Sequence, residues 1–108
     1  MKKLIASKLV VPASSLLTLA AIDMTGANAL DVTFEVEASP VDLVAVVYAG
    51  NDGANWSQVS AVGLNRPGAT SFEVSGIKTR LARVDVSSDL GTAFDFGVVS
   101  GVVTTKLR

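Results

Sequence analysis

The residue types best suited to binding chemistry stand together in one short segment that follows an apolar run. Trp56 offers an aromatic face on which a sugar ring can stack, and Asn51, Asp52 and Asn55 offer oxygen ligands of the kind that Ca²⁺ prefers. Only one of these three is a carboxylate, however, and Asn-Asp-Gly is typical of tight turns, where Gly53 adopts a positive φ at no steric cost. We therefore expect Asn51, Asp52, Gly53 and Trp56 to form a structural turn, with Trp56 covering one end of a small core.

The chain offers no set of residues that indicates catalysis. It contains neither Cys nor His, which excludes thiol nucleophiles, disulfides and imidazole acid–base chemistry. Glu35 and Glu37 are expected on one face of a strand, where exposure to solvent accounts for both. We expect no catalytic residue, no metal site and no cofactor.

Two arginines and an aspartate define a second candidate site. Arg80 and Arg83 stand around a predicted strand, and Lys78 and Asp85 are close to them in the sequence. Arginine suits the planar contacts that protein interfaces use. Arg80, Arg83 and Asp85 therefore either form ion pairs between subunits or lie on a solvated strand face, and the sequence leaves both open.

Charge and hydropathy limit the possible partners. Nine basic and ten acidic residues give a net charge of −1, which provides no basic face for nucleic acid. Hydrophobic residues make up 49% of the chain and the mean hydropathy is +0.48. We expect other subunits to cover part of this apolar surface. The uninterrupted apolar stretches are shorter than the ~20 residues of a membrane span.

The N-terminal region permits two interpretations. Lys2 and Lys3, the apolar run over residues 9–22 and an Ala-x-Ala sequence at residues 27–29 are typical of a secretory signal peptide that is removed as residues 1–29. Such a chain would be secreted or periplasmic.

In the other interpretation the N-terminal region belongs to the fold. Lys8 interrupts the early apolar region, and Pro12, Ser14 and Ser15 break the middle of the run, which disfavours a signal peptide. Residues 16–22 then form a strand, and residues 23–28 form the turn that follows it.

Alternation of apolar and polar residues predicts most of the strands. Residues 30–37 alternate strictly, which is typical of a half-buried strand. Residues 41–49 are apolar on both faces, so we expect an interior strand that is covered on both sides. The turn signals between strands include residues 39–40 and 88–91. Further strands are predicted over residues 56–62, 70–74, 81–87, 94–98 and 102–107.

In the strand over residues 94–98 we expect Phe94, Phe96 and Val98 to point inward. About seven to eight short strands without an amphipathic helix indicate an all-β fold, an antiparallel β-sandwich of jelly-roll type. We expect residues 1–15 to form an N-terminal arm or first strand and residues 16–108 to form the sandwich domain.

Several short motifs resemble a small β-domain of bacteriophage virion proteins. They are the turns at residues 22–27 and 51–56, the strands at residues 72–76 and 81–87, and the ending at residues 101–108. This resemblance implies a structural role on a virion, as a capsid decoration, head-fibre or tail subunit. The Asn-Asp-Gly-x-x-Trp turn is also similar to that of discoidin-type jelly rolls, which would imply sugar binding.

We therefore expect a non-enzymatic virion protein that forms homo-oligomers and packs on a capsid or tail lattice. An exposed edge strand would also allow strand addition between copies. Two alternatives remain, both of which require removal of residues 1–29. One is a secreted carbohydrate-binding module. The other is a pilin-like fibre subunit, whose strand over residues 30–37 would begin the mature chain and insert into a neighbour.

Overall fold

In the part of the chain that the structure describes, eight antiparallel strands form two sheets. The computed structural model describes residues 2–12, 14–37, 42–65, 67–88 and 96–108. Sheet A has the strand order β1-β8-β3-β6 and sheet B the order β2-β7-β4-β5, which confirms the predicted all-β sandwich. The strands are β1 (Lys2–Pro12), β2 (Leu16–Asp23), β3 (Ala29–Val36), β4 (Leu43–Gly50), β5 (Ser57–Gly63), β6 (Gly68–Val74), β7 (Leu81–Ser88) and β8 (Phe96–Lys106).

The antiparallel strand pairs are nested in the sequence, as in one long β-hairpin that is folded over on itself. Strand β4 pairs with β5, β3 with β6, β2 with β7 and β1 with β8, so that the pairs are nested in the sequence. Further pairing of β3 with β8 and of β4 with β7 joins these ribbons into the two sheets. This connectivity is that of a jelly roll. Within the described residues, no helix is long and apolar enough to cross a membrane.

The core lies between the sheets, and the predicted alternation of β3 is confirmed. Leu30, Val32, Phe34 and Val36 are all buried, and the residues between them point outward. Strand β4 is largely buried along its whole length, as its apolar composition predicts. Inward residues of β7 and β8 complete the core.

One close approach inside sheet A depends on a glycine. Gly101 of β8 lies opposite Phe34 of β3. A Cβ atom at Gly101 would lie 2.6 Å from Cε1 of Phe34 and 3.2 Å from Cγ1 of Ile5. The space above Gly101 therefore holds the Phe34 ring.

The prediction for the C-terminal strands was wrong in two respects. Residues 96–106 form the single strand β8, and its inward side chains are Val99 and Val103, whereas Val98 lies on the outer face opposite Val10. The sequence has apolar residues on both faces of β8, so alternation alone does not decide which face is buried. Of the turn predicted at residues 88–91, Ser88 is instead the last residue of β7. Residues 89–91, the turn predicted at residues 39–40, Phe94 and the side chain of Phe96 lie outside the described residues.

The chain segment before β3 is part of the sandwich. Strand β2 and the turn after it agree with the interpretation in which residues 16–22 form a strand. Asp23 Oδ1 accepts hydrogen bonds from the Thr25 hydroxyl (2.6 Å) and the Thr25 N–H (2.9 Å). These two bonds lower the pKa of Asp23. Strand β1 lies within the segment predicted as an arm or first strand, and it pairs with β8 at the edge of sheet A.

Candidate functional site: the Asn51 turn and the Arg83 cluster

The turn between β4 and β5 is organised by the Asp52 carboxylate. Its Oδ1 atom accepts hydrogen bonds from the N–H groups of Asn55 (2.9 Å) and Ala54 (3.0 Å), and Oδ2 accepts one from Asn55 Nδ2 (2.8 Å). Gly53 has φ +74°, in the left-handed region that glycine adopts without strain. The hydrogen bonds, that of the Asn55 N–H foremost, lower the pKa of Asp52 from 3.8 to about 2. Both carboxylate oxygens therefore bind within the turn.

Asn51 connects this turn to the start of β7. Its side-chain Oδ1 accepts a hydrogen bond from the Arg80 N–H at 2.9 Å, and its main-chain oxygen accepts one from Arg80 Nη2 at 3.1 Å. Arg80 is exposed. Arg80, one of the two arginines proposed from the sequence as contact residues, therefore holds the turn against the start of β7.

Trp56 folds back over the outer face of β4. A Cβ atom at Gly50 would lie 3.0 Å from Cε3 of the indole and 2.5 Å from the main-chain oxygen of Asn55, so the ring occupies the space that a side chain would need. The indole N–H donates to the Gly53 oxygen at 3.2 Å. Trp56 is half-buried. It lies on the outside of sheet B rather than over one end of the core, because its ring packs against Gly50 and beside Arg83 on the outer face.

Tyr48, Trp56, Arg83 and Asp85 form a group on the outer face of sheet B, which we call the Arg83 cluster. Tyr48 and Arg83 are direct cross-strand neighbours. The guanidinium carbon of Arg83 lies 4.4 Å from the Tyr48 ring centroid and 5.1 Å from that of Trp56, which is within the range of cation–π attraction. Arg83 Nη2 also donates to Asp85 Oδ2 at 3.1 Å. Arg83 therefore joins the two aromatic rings to a carboxylate.

Asp85 is completely buried, with 0% of its surface exposed, although it lies on the outer face of the sheet. Its cross-strand neighbours are Val46 on β4 and Thr18 on β2. The second oxygen, Oδ1, and the Arg83 Nε have no hydrogen-bond partner among the described residues. A solvated strand face therefore does not describe Asp85, and the ion pair that it makes lies within the chain.

The arrangement suits recognition or packing rather than bond chemistry. Asp52 is held by its own turn and Asp85 by Arg83, so each carboxylate is bound by groups of its own chain. Within the described residues, no group of three or more His, Cys, Asp or Glu side chains could hold a metal ion. What the outer face of sheet B offers is a half-exposed indole and phenol beside a buried ion pair.

The sequence did not indicate a second charged group, which lies on sheet A. Lys106 Nζ contacts Asp31 Oδ2 at 2.7 Å and Glu73 Oε2 at 2.9 Å, and Arg108 also binds Glu73. These contacts raise the pKa of Lys106, mainly through Asp31, and lower the pKa of Glu73, mainly through Lys106. Asn28 fixes the Arg108 main chain through its amide group. All of these partners are far apart in the chain, so no spacing in the sequence marks them.

No protein-family model matches this chain, and no curated protein matches it significantly. Solved structures do match its fold. The PBSX exported protein XepA aligns over 100% of this chain and 37% of its own, with a TM-score of 0.79 and 9% identity. A protein from Bacillus endospore appendages, described as disulfide-linked pili, aligns over 100% of this chain and 92% of its own, with a TM-score of 0.59 and 16% identity.

The particle of infectious bursal disease virus, Gx strain, contains a third match. It aligns over 99% of this chain and 31% of its own, with a TM-score of 0.60 and 13% identity. The chain thus spans about a third of the length of XepA (37%) and of the viral protein (31%). At these identities the likeness establishes a shared β-sandwich fold, and this fold occurs in an exported PBSX protein, a virus particle and a pilus.

Proposed function

We propose that this chain is a non-enzymatic structural subunit that assembles in many copies on a virion, as a capsid decoration, head-fibre or tail protein. The supporting fold neighbours include a virus particle and a PBSX exported protein. The observation that carries the proposal is the set of exposed apolar side chains on the first two strands. Leu4 is 61% exposed, Val10 51% and Leu16 58%. Assembly would bury such side chains against neighbouring subunits.

Two of these side chains form apolar cross-strand pairs on the outer face of sheet A, with Ser100 of β8 between the two pairs. Leu4 lies opposite Val102 and Val10 lies opposite Val98, and both valines are half-buried on the outer face. We call these four residues the β1–β8 strip. A strip of this kind gives a weak contact for one subunit, but in a lattice each further contact is intramolecular and the avidity rises steeply.

The Arg83 cluster supplies the second proposed contact of this subunit. Tyrosine, tryptophan and arginine are enriched at protein interfaces and among the residues that dominate binding energy. Trp56 and Tyr48 are both half-buried in the free chain, so a neighbour can cover them without moving the strands. Arg80 and Arg83 would lie at the rim and centre of that contact, with Asp85 fixing the direction of the Arg83 side chain.

The test is the state of assembly of the purified chain between about 1 µM and about 1 mM, a range that covers weak lattice contacts. We expect oligomers or particles by light scattering and electron microscopy, and we expect the double variant Leu4→Ser/Val10→Ser to assemble less while it keeps its fold. Leu107→Ser is the matched control, since Leu107 is 75% exposed and lies outside the strip. A chain that stays monomeric throughout this range would overturn the proposal.

A fibre subunit of a pilus is the second candidate, because the endospore appendage protein aligns over 92% of its own length. The mass of the native N-terminus separates the two candidates. A mature start at Leu30 would remove β1 and β2, the edge strands at one end of both sheets, and would favour a secreted fibre or a secreted carbohydrate-binding module. A retained N-terminus favours the virion subunit. Glycan binding that is lost in Trp56→Ala would count against the virion subunit and favour the carbohydrate-binding module.

A further inference from the structure

The four edge strands of the sandwich differ in regularity. Strand β1 has two irregularities, at Leu4/Ala6 and Ala6/Leu9, and the pairings of β2 and β5 each contain one. Strand β6 pairs with β3 over seven consecutive residue pairs without any irregularity. Bulges and lysines protect sheet edges from strand addition. Strand β6 has neither, so it is the one edge in the described structure that can accept another strand along its length.

The main-chain groups that β6 presents can be identified from one hydrogen bond. The Glu37 N–H donates to the Val98 oxygen of β8 at 3.0 Å. Main-chain groups point alternately to the two neighbours of a strand, so the odd-numbered residues of β3 face β8 and the even-numbered ones face β6. Since Val32 pairs with Phe72, the even-numbered residues of β6 point towards β3.

Ala69, Ser71 and Glu73 therefore direct their N–H and C=O groups away from the sheet. An independent contact agrees with this assignment, because Asn65 Nδ2 donates to the Ala69 oxygen at 3.0 Å, which requires that oxygen to lie on the open side. All three residues are exposed. They form a short edge of outward main-chain donors and acceptors, of which the Ala69 oxygen already accepts the bond from Asn65.

We propose that β6 is a self-association edge, and that two copies of this chain join through antiparallel pairing of β6 with β6 around a two-fold axis at Ser71. A matching partner edge must be as regular as β6, and among the edges described here a second copy offers only its own β6. This inference deepens the proposed function, on which it rests, because it names a contact by which copies join.

The register follows from the positions of the open groups. Only a register centred on Ser71 pairs all three outward residues, with Ser71 opposite Ser71 and Ala69 opposite Glu73 of the second copy. In this register the Ser71 N–H of each copy donates to the Ser71 oxygen of the other. The Ala69 N–H of each copy likewise donates to the Glu73 oxygen of the other. The Ala69 oxygen can accept a second hydrogen bond beside that of Asn65. Both sheets A then continue as one sheet of eight strands.

Charge and packing on both faces suit this register. On the outer face, Glu73 meets Ala69 of the second copy rather than another acid, so no like charges stand directly opposite each other. On the inner side, the half-buried Phe72 meets Thr70 of the second copy, which would cover the exposed part of its ring. A seven-residue edge buries on the order of 1,000 Å² in total, at the low end for specific complexes, so we expect a weak association that depends on concentration.

The first experiment uses charge at the axis. Ser71→Lys places two ammonium groups opposite each other in the paired form, and we expect the dissociation constant for self-association to rise about fivefold or more. The matched control is Ala61→Lys, an exposed position on the outer face of edge strand β5, which should leave the constant unchanged. Sedimentation equilibrium measures both, and circular dichroism shows that both variants are folded.

The second experiment does not depend on charge. The natural chain has no cysteine, and opposed residues of a hydrogen-bonded antiparallel pair have Cα atoms about 5.5 Å apart, a separation that a disulfide spans. Under copper–phenanthroline oxidation, Ser71→Cys should form a covalent dimer rapidly, whereas Ala61→Cys should not.

The outcomes separate this inference from the proposed function. If the natural chain assembles, and the lysine and cysteine variants at position 71 behave like those at position 61, copies join elsewhere and the β6 edge is overturned while the assembly role stands. If the natural chain does not assemble at any concentration, both are overturned. Loss of assembly in Ser71→Lys together with selective crosslinking of Ser71→Cys supports the β6 edge.

Discussion

Removal of the Arg83 side chain tests how the outer face of sheet B is held together. Arg83 is the hydrogen-bonding partner of the Asp85 carboxylate, and Asp85 has 0% exposed surface. In Arg83→Ala the carboxylate would remain buried without its cation. Breaking a buried ion pair by removing one partner destabilises a protein by about 3–5 kcal/mol, a large part of the ~5–15 kcal/mol that a domain possesses.

Replacing both partners should have a different effect. In Arg83→Met/Asp85→Val, apolar side chains fill the site and no buried charge remains, so the double variant should be far more stable than Arg83→Ala and at least comparable to the natural chain. A stable double variant would mean that the ion pair serves contact geometry more than stability. We then expect this variant to assemble less well than its stability would suggest.

The assay is urea unfolding at pH 7, followed by far-ultraviolet circular dichroism, with the free energy of unfolding extrapolated to water. Arg80→Ala is the matched control, because Arg80 is exposed and its contacts are to the Asn51 turn. Its loss should destabilise the chain by less than about 1 kcal/mol. The reasoning fails if Arg83→Ala is destabilised no more than Arg80→Ala.

Three further predictions concern single positions. Gly101→Ala should lower the free energy of unfolding by about 1–3 kcal/mol in the same assay, because the added Cβ meets the Phe34 ring. The control Gly63→Ala, whose Cβ has nothing within 4 Å, should be neutral or slightly stabilising, and equal effects would contradict the packing described for Gly101. The Asp52 carboxyl should titrate at about 2 by carbon NMR. Its stabilisation is then fully present above pH ~5 and is lost as the pH falls through about 2, whereas a midpoint near 4 would show that the turn is not held as described. Lys8 has φ 46°, so Lys8→Gly should raise the melting temperature by relieving up to about 1 kcal/mol of strain, and an unchanged or lower value would argue against a left-handed Lys8.

The sequence predicted those strands in which apolar residues occupy one face. In β3 the alternation of Val32 and Phe34 with polar residues leaves only one possible core face, and the structure has that face buried. In β8 the pairs Val98–Val99 and Val102–Val103 make both faces apolar. There the register with β3 decides the buried face, and this register depends on the whole topology.

The same limit on prediction from the sequence applies to the candidate site. Local turn chemistry predicted that Asp52 and Gly53 would form a turn, since their partners lie within a few residues. The burial of Asp85 depends on Val46 and Thr18, which come from strands distant in the sequence. Alternation placed Asp85 on the outer face but carried no information on what lies beside it, so its burial was not predictable.

The nested pairing of the strands has a consequence for how the chain folds. The hydrogen-bonded neighbour of β1 is β8, so β1 leaves the ribosome well before β8 and can pair only after β8 has been synthesised. Until then Leu4 and Val10 lack the cross-strand partners that β8 provides. Contacts between such distant segments form slowly, in milliseconds to seconds for all-β domains, and an unpaired β1 is exposed to other chains during that time. The lysines of this strand, Lys2, Lys3 and Lys8, would repel the same strand of another nascent copy during that time.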